Sequence, residues 1–126
     1  MDLKNIETSD FFIKETIKKE NEISILFSKI YDINKMKYID NVILIIKEWS
    51  VFFVKLYISE APFSKPKEKF LTDENFECFD LIQDVIINDN ELILSGYSKD
   101  SSHWMEYVFT DCKTLIFKEK PNGLAL

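Results

Sequence analysis

The fold turns on the stretch Asp10-Phe11-Phe12-Ile13-Lys14-Glu15-Thr16-Ile17-Lys18-Lys19-Glu20-Asn21-Glu22-Ile23-Ser24-Ile25-Leu26-Phe27-Ser28-Lys29-Ile30-Tyr31-Asp32-Ile33. Phe12, Ile13 and Ile17 form one apolar stripe. Ile23, Leu26, Phe27, Ile30 and Tyr31 continue it at steps of three and four residues, the spacing of a helix face. Ser9 or Asp10 offers an N-cap oxygen. The polar run Lys18-Lys19-Glu20-Asn21-Glu22 interrupts the stripe, which favours two helices over one long helix with an exposed middle. The spacing thus predicts a helical segment over 8–34.

From Val42 the pattern changes. Phe52, Val54, Leu56 and Ile58 alternate with Val51, Phe53, Lys55, Tyr57 and Ser59, which is a strand period with β-branched and aromatic content to match. Two strands, 42–47 and 51–58, would reverse near Lys47-Glu48-Trp49-Ser50. The pair Lys47/Glu48 and Lys55 also fall about a heptad apart, so a buried helix with a narrow polar face is the alternative. Pro62 and Pro66 make Ser59 to Thr72 a surface loop, because proline fixes φ and removes a donor. Beyond it, Phe76 to Ile87, Glu91 to Ser98, His103 to Thr110 and Thr114 to Lys118 are separated by short polar turns, as consecutive hairpins require. Lys120-Pro121-Asn122-Gly123 reads as a terminal turn. The expected architecture is a single α+β domain over 1–126. Its N-terminal helices would pack on one face of an antiparallel sheet, a meander spanning about 41–118 with the loop at 59–72.

Composition narrows the chemistry. The 126 residues include 46% apolar and 14% aromatic side chains, eleven of them Phe, ample for a core and contrary to disorder. Two glycines leave little material for a glycine-rich phosphate loop. All 16 basic residues are Lys, and the formal charge is −6, so direct nucleic-acid binding is not expected. Residues 1–69 hold 12 Lys and 11 acids, whereas residues 70–126 hold 4 Lys and 11 acids. The excess negative charge therefore belongs to the predicted meander, where it serves solubility or steers a basic partner. No membrane span or signal-peptide core is apparent, since Lys47, Glu48 and Lys55 interrupt the most apolar stretch. A soluble cytoplasmic protein is expected.

His103 is the single histidine, and Cys78 and Cys112 lie far apart, so neither a metal nor another cofactor is expected. The two Cys read as small buried hydrophobes. Asp111-Cys112-Lys113, with Asp84 or Asp89, imitates the metal-binding pattern of restriction-type nucleases. The pattern is short, falls in a turn and has no basic surroundings to hold phosphate, so an enzyme is not expected. The densest polar feature is the cluster Asp73, Glu74, Glu77, Asp80 and Asp84. On the next-to-last strand, His103, Met105, Tyr107 and Phe109 share one side, and Trp104, Glu106, Val108 and Thr110 the other. Trp104 would then stand beside Glu106 as a binding anchor, or cap a second small core against Trp49 or Tyr97.

The run Phe76…Phe79…Ile82…Val85-x-Ile87, Leu92-x-Leu94-x-Gly96-Tyr97 and Trp104-x-x-Tyr107-x-Phe109 resembles the β-meander of small bacterial immunity proteins. These accompany polymorphic toxins, including those of contact-dependent growth inhibition systems. The resemblance implies a cytoplasmic inhibitor that binds one cognate toxin domain, often a basic nuclease, and masks its active site or an essential surface. Candidate partner-binding residues are Asp73, Glu74, Glu77, Asp80, Asp84, Tyr97, Trp104 and Glu106. The alternative is a small-ligand-binding or other protein-interaction α+β domain, with an apolar ligand held between helices and sheet. A sheet face left uncovered could equally pair with a second copy, so a homodimer is also among the expected partners.

Overall fold

The stretch read as helical is a β-hairpin. The computed structural model describes Leu3 and residues 6–7, 12–59, 65–72 and 74–120. Within them Ile13–Lys19 is strand β2 and Glu22–Asp32 is strand β3, after a two-residue strand β1 at Ile6–Glu7. The candidate N-caps Ser9 and Asp10 lie outside the described residues. Lys19 pairs with Glu22 around the turn Glu20-Asn21, where Asn21 takes φ 54°, a conformation that Asn tolerates. The polar run that was to break a helix is this turn. The apparent helical stripe arises because β3 is shielded on both sides. Ile23, Ile25 and Phe27 point inward, while Ser24 and Leu26 on the outward side are also buried. A strand buried on both sides shows an apolar run in place of alternation, and such a run contains three- and four-residue steps by default. The α+β class with N-terminal helices is therefore corrected: the described residues form strands and no helix.

Seven further segments complete the order: β3 is followed by β4 (Lys37–Lys47), β5 (Val51–Ile58), β6 (Lys67–Leu71), β7 (Phe79–Ile87), β8 (Glu91–Ser98), β9 (Trp104–Thr110) and β10 (Thr114–Glu119). They make two antiparallel sheets. In sheet A, β3 holds β1 and β2 along one edge and β4 along the other, and β4 carries β10. Sheet B runs β6-β5-β9-β8-β7. Residues 42–47 and 51–58 are strands, but they do not pair with each other. The chain crosses from sheet A to sheet B between Lys47 and Val51, with Glu48 at φ 59° and its N–H donated to Asn21 O. The expected four-strand meander holds for β7, β8 and β9. It fails at β10, which returns to sheet A and pairs with β4. The 59–72 segment also departs from expectation, because Lys67–Leu71 pairs with β5 as an edge strand.

One core joins the sheets. Ile23, Ile25, Phe27, Val42, Leu44, Ile46 and Phe117 of sheet A meet Val54, Leu56, Phe79, Ile82, Leu94, Met105, Tyr107 and Phe109 of sheet B. Sheet A thus occupies the place the helices were to take. Many of the eleven Phe are spent here: Phe52 stacks on Phe109 at 4.7 Å, and Phe79 tilts against Tyr107 at 4.4 Å. The Tyr107 hydroxyl donates to Glu77 O, which satisfies a polar group in an otherwise apolar interior. Such aromatic contacts contribute about 0.5–1.5 kcal/mol each beyond burial.

Gly96 sets the geometry of the β7 edge. The register of β7 against β8 shifts between Phe79 and Leu81 and again between Ile82 and Asp84, so Asp80 and Gln83 are the extra residues. A Cβ on Gly96 would stand 1.9 Å from Leu81 O, so only glycine lets the bulged strand approach.

Candidate functional site

Alternation along sheet B decides which side chains reach its outward side. Phe52, Val54 and Leu56 turn in, so Val51, Phe53, Lys55 and Tyr57 turn out. By the same rule β9 presents Trp104, Glu106 and Val108, and β8 presents Ile93, Ser95 and Tyr97. The pairing register stacks these into rows across all five strands. One row is Phe70, Lys55, Glu106, Ser95 and Asp84; the next is Glu68, Tyr57, Trp104, Tyr97 and Leu81. A third places Phe53, Val108, Ile93 and Ile86 side by side.

A polar row therefore runs through an aromatic field. Glu106 Oε1 accepts from the Tyr57 hydroxyl at 2.5 Å, and its Oε2 accepts from Ser95 Oγ at 3.3 Å. Burial and the Glu106 contact both push the Tyr57 hydroxyl above its ordinary range, so it stays a donor. Lys55 Nζ lies 3.0 Å from Glu68 Oε1 and sits over the Tyr57 and Phe70 rings at 5.1 and 5.9 Å. Hydrogen bonds to Tyr57 and Glu68 raise its pKa and hold it charged. Tyr97 meets Trp104 edge-on at 5.1 Å, and Phe53 meets Phe70 at 5.8 Å. Phe70 is 61% exposed, Val51 50%, Tyr97 44% and Ile86 40%. At one end the field continues into an open groove of about 490 Å³ lined by Trp49, Phe52, Phe53 and Phe70.

Of the residues singled out in the sequence, Asp84, Tyr97, Trp104 and Glu106 share this face. Trp104 does pair with Tyr97, whereas Trp49 packs against Phe52 and Phe109. The acidic cluster does not form one surface. Asp73 lies outside the described residues. Glu74 is exposed in a turn, its N–H directed at Thr72 Oγ1. Asp80 occupies the β7 bulge. Glu77 is a clasp: its Oε1 accepts from Ser98 Oγ and Ser101 Oγ, both at 2.6 Å, and its carbonyl from Tyr107. The sequence reading missed Phe53, Lys55, Tyr57, Phe70 and Ser95. The alternation through 51–58 already put the first three on one side, but nothing local says that this side faces out.

The remaining candidates carry no comparable arrangement. The β7–β8 and β9–β10 turns meet through Asp111 N–H and Asn90 O, and Asp89, Asp111 and Cys112 line a small hollow of about 100 Å³. Among the described residues no three His, Cys, Asp or Glu side chains are placed to hold a metal ion. Cys78 and Cys112 are free and half-buried, and burial raises both thiols, which keeps them protonated and poorly nucleophilic. Among the described residues no helix is long and apolar enough to cross a membrane. Compared with protein-family models, curated proteins and solved structures, the chain matches none.

Proposed function

We propose that the protein is a non-enzymatic binding protein whose outward sheet B face takes a basic protein domain, and that it acts as a cytoplasmic immunity protein masking a cognate toxin. The observation that supports this is the combination of exposed aromatics with a negative balance of charge. Among the described residues, Asp84, Glu106, Glu68 and Glu91 stand on this side against one cation, Lys55. Trp and Tyr dominate binding hot spots, each costing about 2 kcal/mol or more when truncated. Five strands at about 4.8 Å spacing, five to nine residues long, give a face of roughly 500 Å², the order of one side of a standard interface. The acidic balance would speed encounter with a basic domain and make the on-rate fall with salt.

The test is genetic and biochemical together. Where a large secreted protein with a variable C-terminal domain is encoded next to the chain, that domain is expressed beside it, and growth and co-purification are scored. Rescue that is lost with Tyr97→Ala and Trp104→Ala, at unchanged circular dichroism, supports the proposal. Rescue that survives both substitutions removes this face from binding. A chromosomal neighbourhood of metabolic genes alone, without any secreted toxin, overturns the immunity reading.

A further inference from the structure

The edges of the two sheets are not alike. β6 carries Lys67 and Lys69 opposite Ile58 and Leu56, on its inward-facing side, yet both are exposed. Inward-pointing charge is a device by which edges refuse a second strand. β7 is bulged twice, and β2 begins at a bridge between Phe12 and Leu81 that ties it to β7. β10 has no such protection over Thr114-Leu115-Ile116-Phe117. It pairs with β4 on one side, and among the described residues no strand pairs with its other side. Leu115 there is 39% exposed.

We propose that the free edge of β10 pairs antiparallel with the same edge of a second copy, centred on Ile116, joining two A sheets into one. The two-fold axis of such a pair stands perpendicular to the sheet, so it opposes residues from the same side. Centring on Ile116 sets Ile116 against its own copy, Leu115 against Phe117 and Thr114 against Lys118. One step further out it sets Lys113 against Glu119, opposite charges at both ends, and both residues are exposed in the single chain. Centring on Phe117 would instead put Ile116 against Lys118 and Leu115 against Glu119, so apolar residues oppose charges on both sides of the axis. Chemistry therefore selects both the occupant and its register. The pairing leaves the outward face of sheet B open and does not depend on the function proposed for it.

Sedimentation velocity of the full chain from low micromolar to near-millimolar concentration reads the proposal. The wild-type protein should show a concentration-dependent dimer. Lys113→Glu and Glu119→Lys, each at an exposed position, should each weaken it about tenfold, because two attractive pairs become repulsive. An equimolar mixture of the two variants should recover the wild-type affinity, since the heterodimer restores both ion pairs. Ile116→Glu should abolish dimers in every mixture. A chain that stays monomeric at all concentrations, or variants whose mixture dimerises no better than either alone, overturns the proposal.

Discussion

The two outward faces of this sandwich are built from different side chains. On sheet A the central rows carry Ile17, Ser24, Ile45 and Ile116, then Glu15, Leu26, Ile43 and Lys118. These are aliphatic at the centre, and Leu26 and Ile43 are buried despite facing out. Glu22 closes the end of the face by pairing with Lys47 at 3.1 Å and Lys19 at 4.0 Å. Sheet B presents aromatic rings that stand open beside an acidic row. Outward position is thus not the same as availability. Shielded aliphatic groups stabilise the fold, whereas exposed rings with polar tips suit recognition.

The largest effect should come from the residue that lets sheet B complete its face. Gly96→Ala drives a Cβ into Leu81 O, a backbone atom that cannot rotate away, so β7 must separate from β8. A loss of about 3 kcal/mol or more is expected in urea denaturation, at the upper end of single substitutions. A loss below about 1 kcal/mol would show that β7 contributes little, and its Leu81, Asp84 and Ile86 would drop out of the comparison. The next test compares the faces directly. Leu26→Ala should cost about 2–3 kcal/mol, as for a buried leucine, whereas Tyr97→Ala should stay below about 1 kcal/mol, as for an exposed site. Equal losses would erase the distinction between a face whose side chains stabilise the fold and one whose rings stand open.

The same contrast explains what could be read from the sequence. β9 was legible because it has a wet side, so Met105, Tyr107 and Phe109 turn inward between Trp104, Glu106 and Thr110, whereas β7 and β8 were legible from the short polar turns that bound them. β3 was not legible, because shielding of Leu26 as well as Ile25 and Phe27 replaced alternation with a run that fits a helix equally well. The β-branched residues Ile13, Thr16, Ile17, Ile23, Ile25 and Ile30 were the available counter-signal. β10 was legible as a strand but not in its partner, since pairing with β4 is a long-range choice. Local spacing does not encode it. Of the outward face of sheet B, Trp104, Tyr97, Glu106 and Asp84 could be found within single strands, but their neighbours Tyr57, Lys55 and Phe70 needed the strand order.

Alkaline pH should separate inside from outside more gently. Burial raises Tyr107 far above the ordinary tyrosine value of 10.0, and burial first, then Glu106, raises Tyr57 by less. Burial likewise raises Cys78 and Cys112 above 9.0. In each case the folded state holds the proton more tightly than the unfolded chain. Their contribution is therefore complete below the unfolded values and is lost as pH rises beyond them. Denaturation midpoints should be flat through neutrality with respect to these groups and decline above about pH 9. Tyr107→Phe should remove more of that decline than Tyr57→Phe. The reverse order would place the more protected phenol on the outward face.

The smallest effect should have the opposite sign. Thr16 pairs with Ile25 on the inward side of β2, and its Oγ1 is buried without a hydrogen-bond partner. An unsatisfied hydroxyl in an apolar interior costs about 1–3 kcal/mol relative to a group of the same shape that needs no partner. Valine has that shape, keeps the β-branch and favours strands. Thr16→Val should therefore raise stability by about 1 kcal/mol. Ser95→Ala on the outward side of sheet B is the counterpart, because Ser95 Oγ does have an acceptor in Glu106. It should lower stability slightly, by about 0.5 kcal/mol for a partly exposed bond. A Thr16→Val protein less stable than wild type would mean that this hydroxyl is satisfied in solution, and that the sandwich interior is wetter at the β2 edge than its packing implies.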